Sequence, residues 1–221
     1  MKMRYVVAID GPSGAGKSTA ARKLARRLGY KYIDTGAMYR AAALAARREE
    51  VNLENEIELE EFLKTLTIKQ EMIKGEVRTR VGDEDVTHRL RAPDMGMLAS
   101  RISAFPVVRE RMVELQREMK EEGGVVMEGR DIGSVVFPDA DYKFYITASD
   151  TERAQRRLKE HEQRGEKVDL EDLLSEIRER DWNDSTREVA PLLRAPDAEL
   201  IDSTDKNPTE VVEEMIRRMD V

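Results

Sequence analysis

The residues with the most legible chemistry lie at 11–18, where GPSGAGKS meets the spacing G-x-x-x-x-G-K-[ST]. Gly11, Pro12, Ser13, Gly14, Ala15 and Gly16 make a loop whose glycines let the backbone curl, so that successive N–H groups face one anion. A helix that begins where such a loop ends adds the partial positive charge of its first turn. Lys17 can reach the β- and γ-phosphates of a nucleoside triphosphate, and the Ser18 hydroxyl suits a Mg²⁺ ion carried with them; Thr19 completes the segment. The flanks have the composition this needs. Residues 4–10 (RYVVAID) read as a buried parallel strand, and residues 19–28 (TAARKLARRL) as a helix stopped by Gly29. The first expectation is therefore a loop that holds the phosphates of ATP.

Such a loop leaves the destination of the phosphate open. No N-K-x-D guanine-reading motif is present. A kinase of a small acceptor needs a second anion site that faces the first and excludes water. Arginine suits that site, because its planar fork grips a phosphate at two points. Arginines stand in four compact polar motifs: DTGAMYR (34–40), FPVVR (105–109), EGRD (128–131) and RDWNDSTR (180–187). Any one of them alone reads as a surface salt bridge. Their place beside predicted strand ends and breaks favours a ligand, since ligands of open α/β sheets lie there.

Further strands are expected at 30–34, 125–129, 142–147 and 198–201. Helices are expected at 37–50, 57–66, 93–103, 106–122, 149–165, 169–181 and 208–219, with Asp169 as a cap and a break at Gly123-Gly124. Residues 66–87, with turn signals at Lys74-Gly75 and Gly82-Asp83, read as a small antiparallel meander inserted between helices. Strands alternating with helices predict an α/β fold with a doubly wound parallel sheet. Segments 35–105 and 150–185 interrupt that alternation and are expected to be mobile covers over a substrate.

Composition sets outer bounds. The chain has 221 residues, 40% hydrophobic and 38% charged, with net charge −7, no cysteine and two histidines, His88 and His161. That excludes disulfides and thiolate metal sites and argues against a protein that grips a nucleic-acid polymer. No apolar run approaches the ~20 residues of a membrane span, so a cytoplasmic location without membrane partners is expected. The absence of heptads is consistent with a monomer.

Five segments in order, IDGPSGAGKST, DTGAMYR, FPVVR, EGRDIGSVVFPDA and ERDWNDSTREVAPL, together resemble bacterial cytidylate kinases, and the likeness spans essentially the whole chain. The resemblance implies a three-layer P-loop NTPase fold with a central five-stranded parallel sheet. It implies a core at 1–34, 106–149 and 186–221, an acceptor-binding region at 35–105 with its small sheet near 66–87, and a helical lid at 150–185. It implies transfer of the ATP γ-phosphoryl group, with Mg²⁺, to CMP or dCMP. Carried over by motif, Thr35, Arg40 and Arg130 would surround the acceptor phosphate. Ser100, Arg109 and Asp131 would contact the cytosine, and Arg180, Asp184 and Arg187 the sugar and phosphates. Lys17, Arg130, Arg180 and Arg187 would serve the transfer, and Arg153 and Arg157, four apart on one helix face, would lie in the lid over ATP. Two residues depart from the commonest family pattern: Thr35 where Ser is frequent, and Glu128 where Asp is. Other readings are a kinase of UMP, AMP or shikimate, and a non-catalytic ATP sensor.

Overall fold

In the computed structural model, residues 4–73, 75–92, 94–120 and 124–219 are described. Lys74, Pro93 and residues 121–123, on which expected turns and helix ends fall, lie outside them.

Five short strands form one parallel sheet: β1 (Val6–Asp10), β2 (Lys31–Asp34), β6 (Val125–Glu128), β7 (Tyr142–Thr147) and β8 (Glu199–Asp202), in the order β2-β6-β1-β7-β8. β1 is buried along its whole length, which explains its β-branched, uninterrupted sequence. From central β1 the chain first builds toward β2 and β6 and then toward β7 and β8. That reversal of strand order opens a crevice at the carboxyl ends of the strands. Thr35, Gly129 and Ser203, which follow β2, β6 and β8, line cavities there.

Helices cover both faces. On one side α1 (Lys17–Leu28) and α8 (Pro208–Arg218) pack over Val7, Ile9 and Phe144. On the other, α2 (Thr35–Arg48), α3 (Glu56–Thr65), α4 (Met95–Ile102) and α5 (Pro106–Glu118) share one continuous core with Val6, Ala8, Ile33 and Met127. The predicted meander is a separate antiparallel sheet of β3 (Ile68–Ile73), β4 (Glu76–Val81) and the two-residue β5 (Glu84–Asp85). It is fastened to the end of β2 by Gln70, which accepts from the Asp34 amide at 2.9 Å and donates to the Asp34 carbonyl at 2.8 Å. The pair α6 (Asp150–Gln163) and α7 (Leu170–Thr186) stands over the crevice around a small cluster of Ala154, Leu173 and Ile177. No helix among the described residues is long and apolar enough to cross a membrane.

Caps explain most helix starts. Asp34, Ser149 and Asp169 accept from the amides of Ala37, Glu152 and Glu171, and Asn207 makes a capping box with Glu210. Several helix ends differ from expectation, and α5, expected to run to 122, stops at Glu118. α2 starts at Thr35, ahead of Ala37, because the Asp34 cap carries Gly36 into the first turn. α7 runs past Asp181 to Thr186 through Trp-Asn-Asp-Ser-Thr, a weakly helical stretch. A tertiary contact, Asp184 held by Arg130, opposes that propensity, and within the helix the Ser185 and Thr186 hydroxyls bond the Trp182 carbonyl. A short 3₁₀ turn at Arg89–Arg91 and a π turn at Ile132–Val136 carried no sequence signal.

Candidate active site

The phosphate loop connects β1 to α1. Gly11 has φ +143°, and a Cβ on it would lie 1.9 Å from the Ile146 carbonyl of β7, so only glycine fits. Gly16, at φ 84° and ψ 9°, sits at the N-cap in the left-handed region and places no side chain over the first turn of α1. That turn is therefore left open to an anion. The loop's carbonyls are drawn toward the protein: Ser13 O accepts from Arg153 Nη1 at 3.0 Å, and Ala15 O from Ser203 Oγ at 3.0 Å. Lys17 is buried, with Nζ donating to Pro12 O at 2.6 Å. Burial, and then the nearby Arg130, bring its pKa down to about 7, against the pull of Glu128. An arriving polyphosphate would favour its charged form.

Two cavities meet at this loop. Ser13, Gly14, Lys17, Ser18, Arg40 and Arg180 line both. One continues between α2, α4 and the 129–131 turn, and the other along α6 to the segment after β8. In the first, Thr35 Oγ1 donates to the Glu128 carbonyl at 2.7 Å, and Arg40 pairs with Asp34 at 3.4 Å. Arg109 and Asp131 form a buried ion pair, with the guanidinium also 5.6 Å from the Tyr39 ring centroid and Nη1 donating to Ser103 O. Arg130 Nε donates to Asp184 at 2.8 Å, and Arg187 lies 3.8 Å from the same carboxylate. Ser100 lines the wall.

The electrostatics favour an anionic ligand. Nε of Arg40, Arg109 and Arg180 and Nη2 of Arg187 are buried with no hydrogen-bond partner among the described residues. Buried donors without partners cost free energy that a phosphate or carbonyl oxygen would recover. Burial, and then Arg130, lower the Arg180 pKa to about 10, so it is still cationic at neutral pH. Burial works to raise Asp184, but Arg130 and Arg180 outweigh it and hold the carboxyl below the usual range. Glu128 is pushed up by burial and by Asp34, opposed by Lys17 and by hydrogen bonds from Ser18 and Tyr32, whose hydroxyl lies 2.5 Å away.

The structure thus brings together around one crevice the loop at 11–19, Thr35, Arg40, Ser100, Arg109, Arg130, Asp131, Arg180, Asp184 and Arg187. Arg157 lines the second cavity and pairs with Glu176 at 2.9 Å. Arg153 departs from its expected place over ATP and lines neither cavity. Its side chain is 3% exposed and bonds Ala148 O, Ser13 O, Asp150 and Asp181, so it ties α6 and α7 to the phosphate loop. A guanidinium one turn into α6 can fold back onto the carbonyls at the helix entrance, which a helical-face argument does not consider. Arg156, Ser203 and Lys206 of the second cavity were missed. Arg156 shares the face of Arg153 and Arg157, and its bonds to Ser203 Oγ and O, at 3.1 and 2.6 Å, have no local sequence signal.

A family model described as cytidylate kinase matches residues 7–220. The chain is 51% identical to a cytidylate kinase of Desulforamulus reducens, over 95% of this chain and 94% of that one. It is 46% identical to a cytidylate kinase of Syntrophotalea carbinolica, over 98% and 92%. A crystal structure of an uncharacterized protein from Eubacterium ventriosum shares the fold, with TM-score 0.54 at 13% identity over 99% of both chains.

Proposed function

This chain belongs to the cytidylate kinase family, and we propose that it transfers the γ-phosphoryl group of ATP to CMP or dCMP, releasing ADP with CDP or dCDP. The observation that carries the reading is the pair of cavities sharing Lys17 and Arg180, edged by arginine donors without partners among the described residues. Two nucleotides entering from opposite sides would meet phosphate to phosphate at that junction.

ATP lies with its phosphates in residues 11–19 and its nucleoside along Arg156, Arg157 and Ser203. CMP lies in the other cavity. Thr35, Arg40 and Arg130 hold its phosphate, Ser100, Arg109 and Asp131 read the base, and Arg180, Asp184 and Arg187 address the sugar and phosphates. An acid beside an arginine suits cytosine, which offers an amine donor and two acceptors. An oxygen of the CMP phosphate bonds the γ-phosphorus as the bond to the β–γ bridging oxygen breaks, and that oxygen leaves with ADP. Lys17, Arg130, Arg180 and Arg187 stabilise the charge spread over the transferring group. The acceptor phosphate is already anionic, so no strong general base is required.

Among the described residues no group of three His, Cys, Asp or Glu could hold a metal alone. The Ser18 hydroxyl beside the buried Glu128 carboxylate fits a Mg²⁺ that arrives on the nucleotide, and Tyr32 steadies the longer acid. When bound, the ion neutralises charge on the β- and γ-phosphate oxygens. The lid pair α6 and α7 and the acceptor region at 35–105 close over both nucleotides and exclude water. We read the enzyme as a cytoplasmic monomer.

A coupled ADP-release assay with CMP, dCMP, UMP, AMP and shikimate tests the assignment. CMP and dCMP are expected to turn over fastest, and equal turnover of AMP or shikimate overturns it. ATP hydrolysis that no acceptor accelerates would favour the sensor reading. Lys17→Ala is expected to lower kcat by about a hundredfold or more, and near-normal turnover removes Lys17 from the chemistry.

A further inference from the structure

β1 and β6 pair in register as far as Ile9 and Glu128, and the Gly129 amide still donates to Ile9 O at 2.9 Å. Beyond that point the two chains part. One becomes the phosphate loop and the other the turn that carries Arg130 and Asp131. The ladder therefore ends just where the donor and acceptor halves of the site need a fixed spacing. The side chain of Asp10 bridges the gap. It is 4% exposed, Oδ1 accepts from the Ile132 amide, and Oδ2 accepts from the Gly133 amide, both at 2.8 Å. Those amides open the π turn at Ile132–Val136.

We propose that Asp10 is a positioning residue of this kinase, its backbone built into the donor scaffold and its carboxylate holding the acceptor-reading turn. The backbone side is rigid, since Asp10 pairs with Tyr145 of β7 and precedes Gly11, which abuts Ile146. On the other side, Arg130 and Asp131 each lead to a further acceptor residue, Arg130 to Asp184 and Asp131 to Arg109. Holding the two amides that follow Asp131 fixes where both side chains aim. A carboxylate does this with one oxygen per amide. An asparagine keeps one acceptor and turns an NH₂ toward the other N–H, so the turn must shift. Asp10 lines neither cavity, and its effect is carried through Arg130 and Asp131.

The inference rests on the reading that Arg130 and Asp131 face the acceptor, and the two can fail separately. In Asp10→Asn the KM for CMP is expected to rise about tenfold while the KM for ATP moves less than about twofold. A buried acid with only a structural role would lower the Tm and leave both constants, or shift them together, and either result overturns the proposal. Should that variant not fold, Gly133→Ala addresses the same contact with Asp10 intact. Its methyl would lie 3.4 Å from Asp10 Oδ2 and 3.2 Å from Lys143 Cδ, and the same split in KM is expected; unchanged constants there overturn the proposal equally. Arg130→Ala serves as the control. If it leaves the dependence on CMP untouched, the acceptor reading itself is wrong. If it raises the KM for CMP while Asp10→Asn and Gly133→Ala do not, the acceptor reading stands and Asp10 has no positioning role.

Discussion

The crevice is flanked by two regions held by different forces: residues 35–105, proposed as the acceptor side, by apolar burial, and α6 with α7, proposed as the lid, by charge. Met38, Ala42, Leu59, Ile68, Val86 and Met95 join Val6, Ala8 and Met127 of the sheet in one core. The apolar cluster within α6 and α7 is small, with Ala154, Leu173 and Ile177 buried and Leu158, Leu170 and Leu174 packed against them. This helix pair reaches the body through Arg153 to Ser13 O, Arg156 to Ser203, Arg180 to Ser13 Oγ and Arg130 to Asp184. A fully buried aliphatic side chain is worth about 1.5–3 kcal/mol without needing a partner, whereas a buried ion pair such as Arg130 with Asp184 must first offset the desolvation of both charges. Cations that bond loop carbonyls and carboxylates can also exchange those partners for phosphate oxygens, which buried methyl groups cannot do. The lid pair is the part whose contacts the ligands can replace.

Leu59→Ala puts the largest strain on this comparison. Leu59 is 1% exposed on α3, far from the crevice in sequence yet within the shared core. Truncation is expected to cost about 2–5 kcal/mol and to lower the single unfolding transition of the whole protein. Hydrogen exchange that quickens only within 35–105, with the sheet as protected as before, would show the acceptor side to be a separate unit. Ile177→Ala in the lid is the counterpart. It is expected to cost about 2 kcal/mol, the low end of that range, and to act locally. Proteolysis within 150–186 should quicken and the KM for ATP rise, with the main transition scarcely moved. A fall in that transition as large as for Leu59→Ala would erase the distinction.

The same division governs what the sequence disclosed. The sheet and its helices were legible because burial leaves periodic traces: β-branched runs at 6–10 and 125–128, and Leu/Phe spacing in α3. The phosphate loop was legible because its glycines answer to local backbone geometry. Arg109, Asp131, Arg130 and Asp184 were named from motif resemblance, but their pairing was not, since spacing alone could not pair residues 22 and 54 apart. Arg153 was misplaced and Arg156 overlooked because a charged helix shows which face an arginine occupies and not which carbonyl it will meet. Asp10 gave no signal, since a lone acid at a strand end declares nothing until the amides of Ile132 and Gly133 stand opposite it.

Salt offers a gentler separation. Raising ionic strength from about 0.1 M to 1 M shortens the screening length from about 10 Å to 3 Å. Amide exchange in α6 and α7 is expected to quicken severalfold, while α2 and α5 hold their protection or gain some. Equal responses in both regions would mean that the lid pair is held by more than its ion pairs.

Acid should give the smallest effect and the most specific one. The Asp184 carboxyl has its folded pKa held below the unfolded value by Arg130 and Arg180, in spite of burial. Its contribution to stability is therefore fully present above the unfolded pKa, near 3.9, and is lost as pH falls through the lower folded value. The stability gap between the protein and Asp184→Asn should be constant from neutral pH down to about pH 5 and then close toward pH 3. The gap produced by Leu59→Ala contains no titrating group and should stay level over the same range. Thermal unfolding of the two variants across that range reads both. If the Asp184→Asn gap stays as flat as that of Leu59→Ala, the contact between lid and acceptor turn does not depend on the Asp184 charge, and the division between a charge-held lid and an apolar acceptor side fails where the two regions meet.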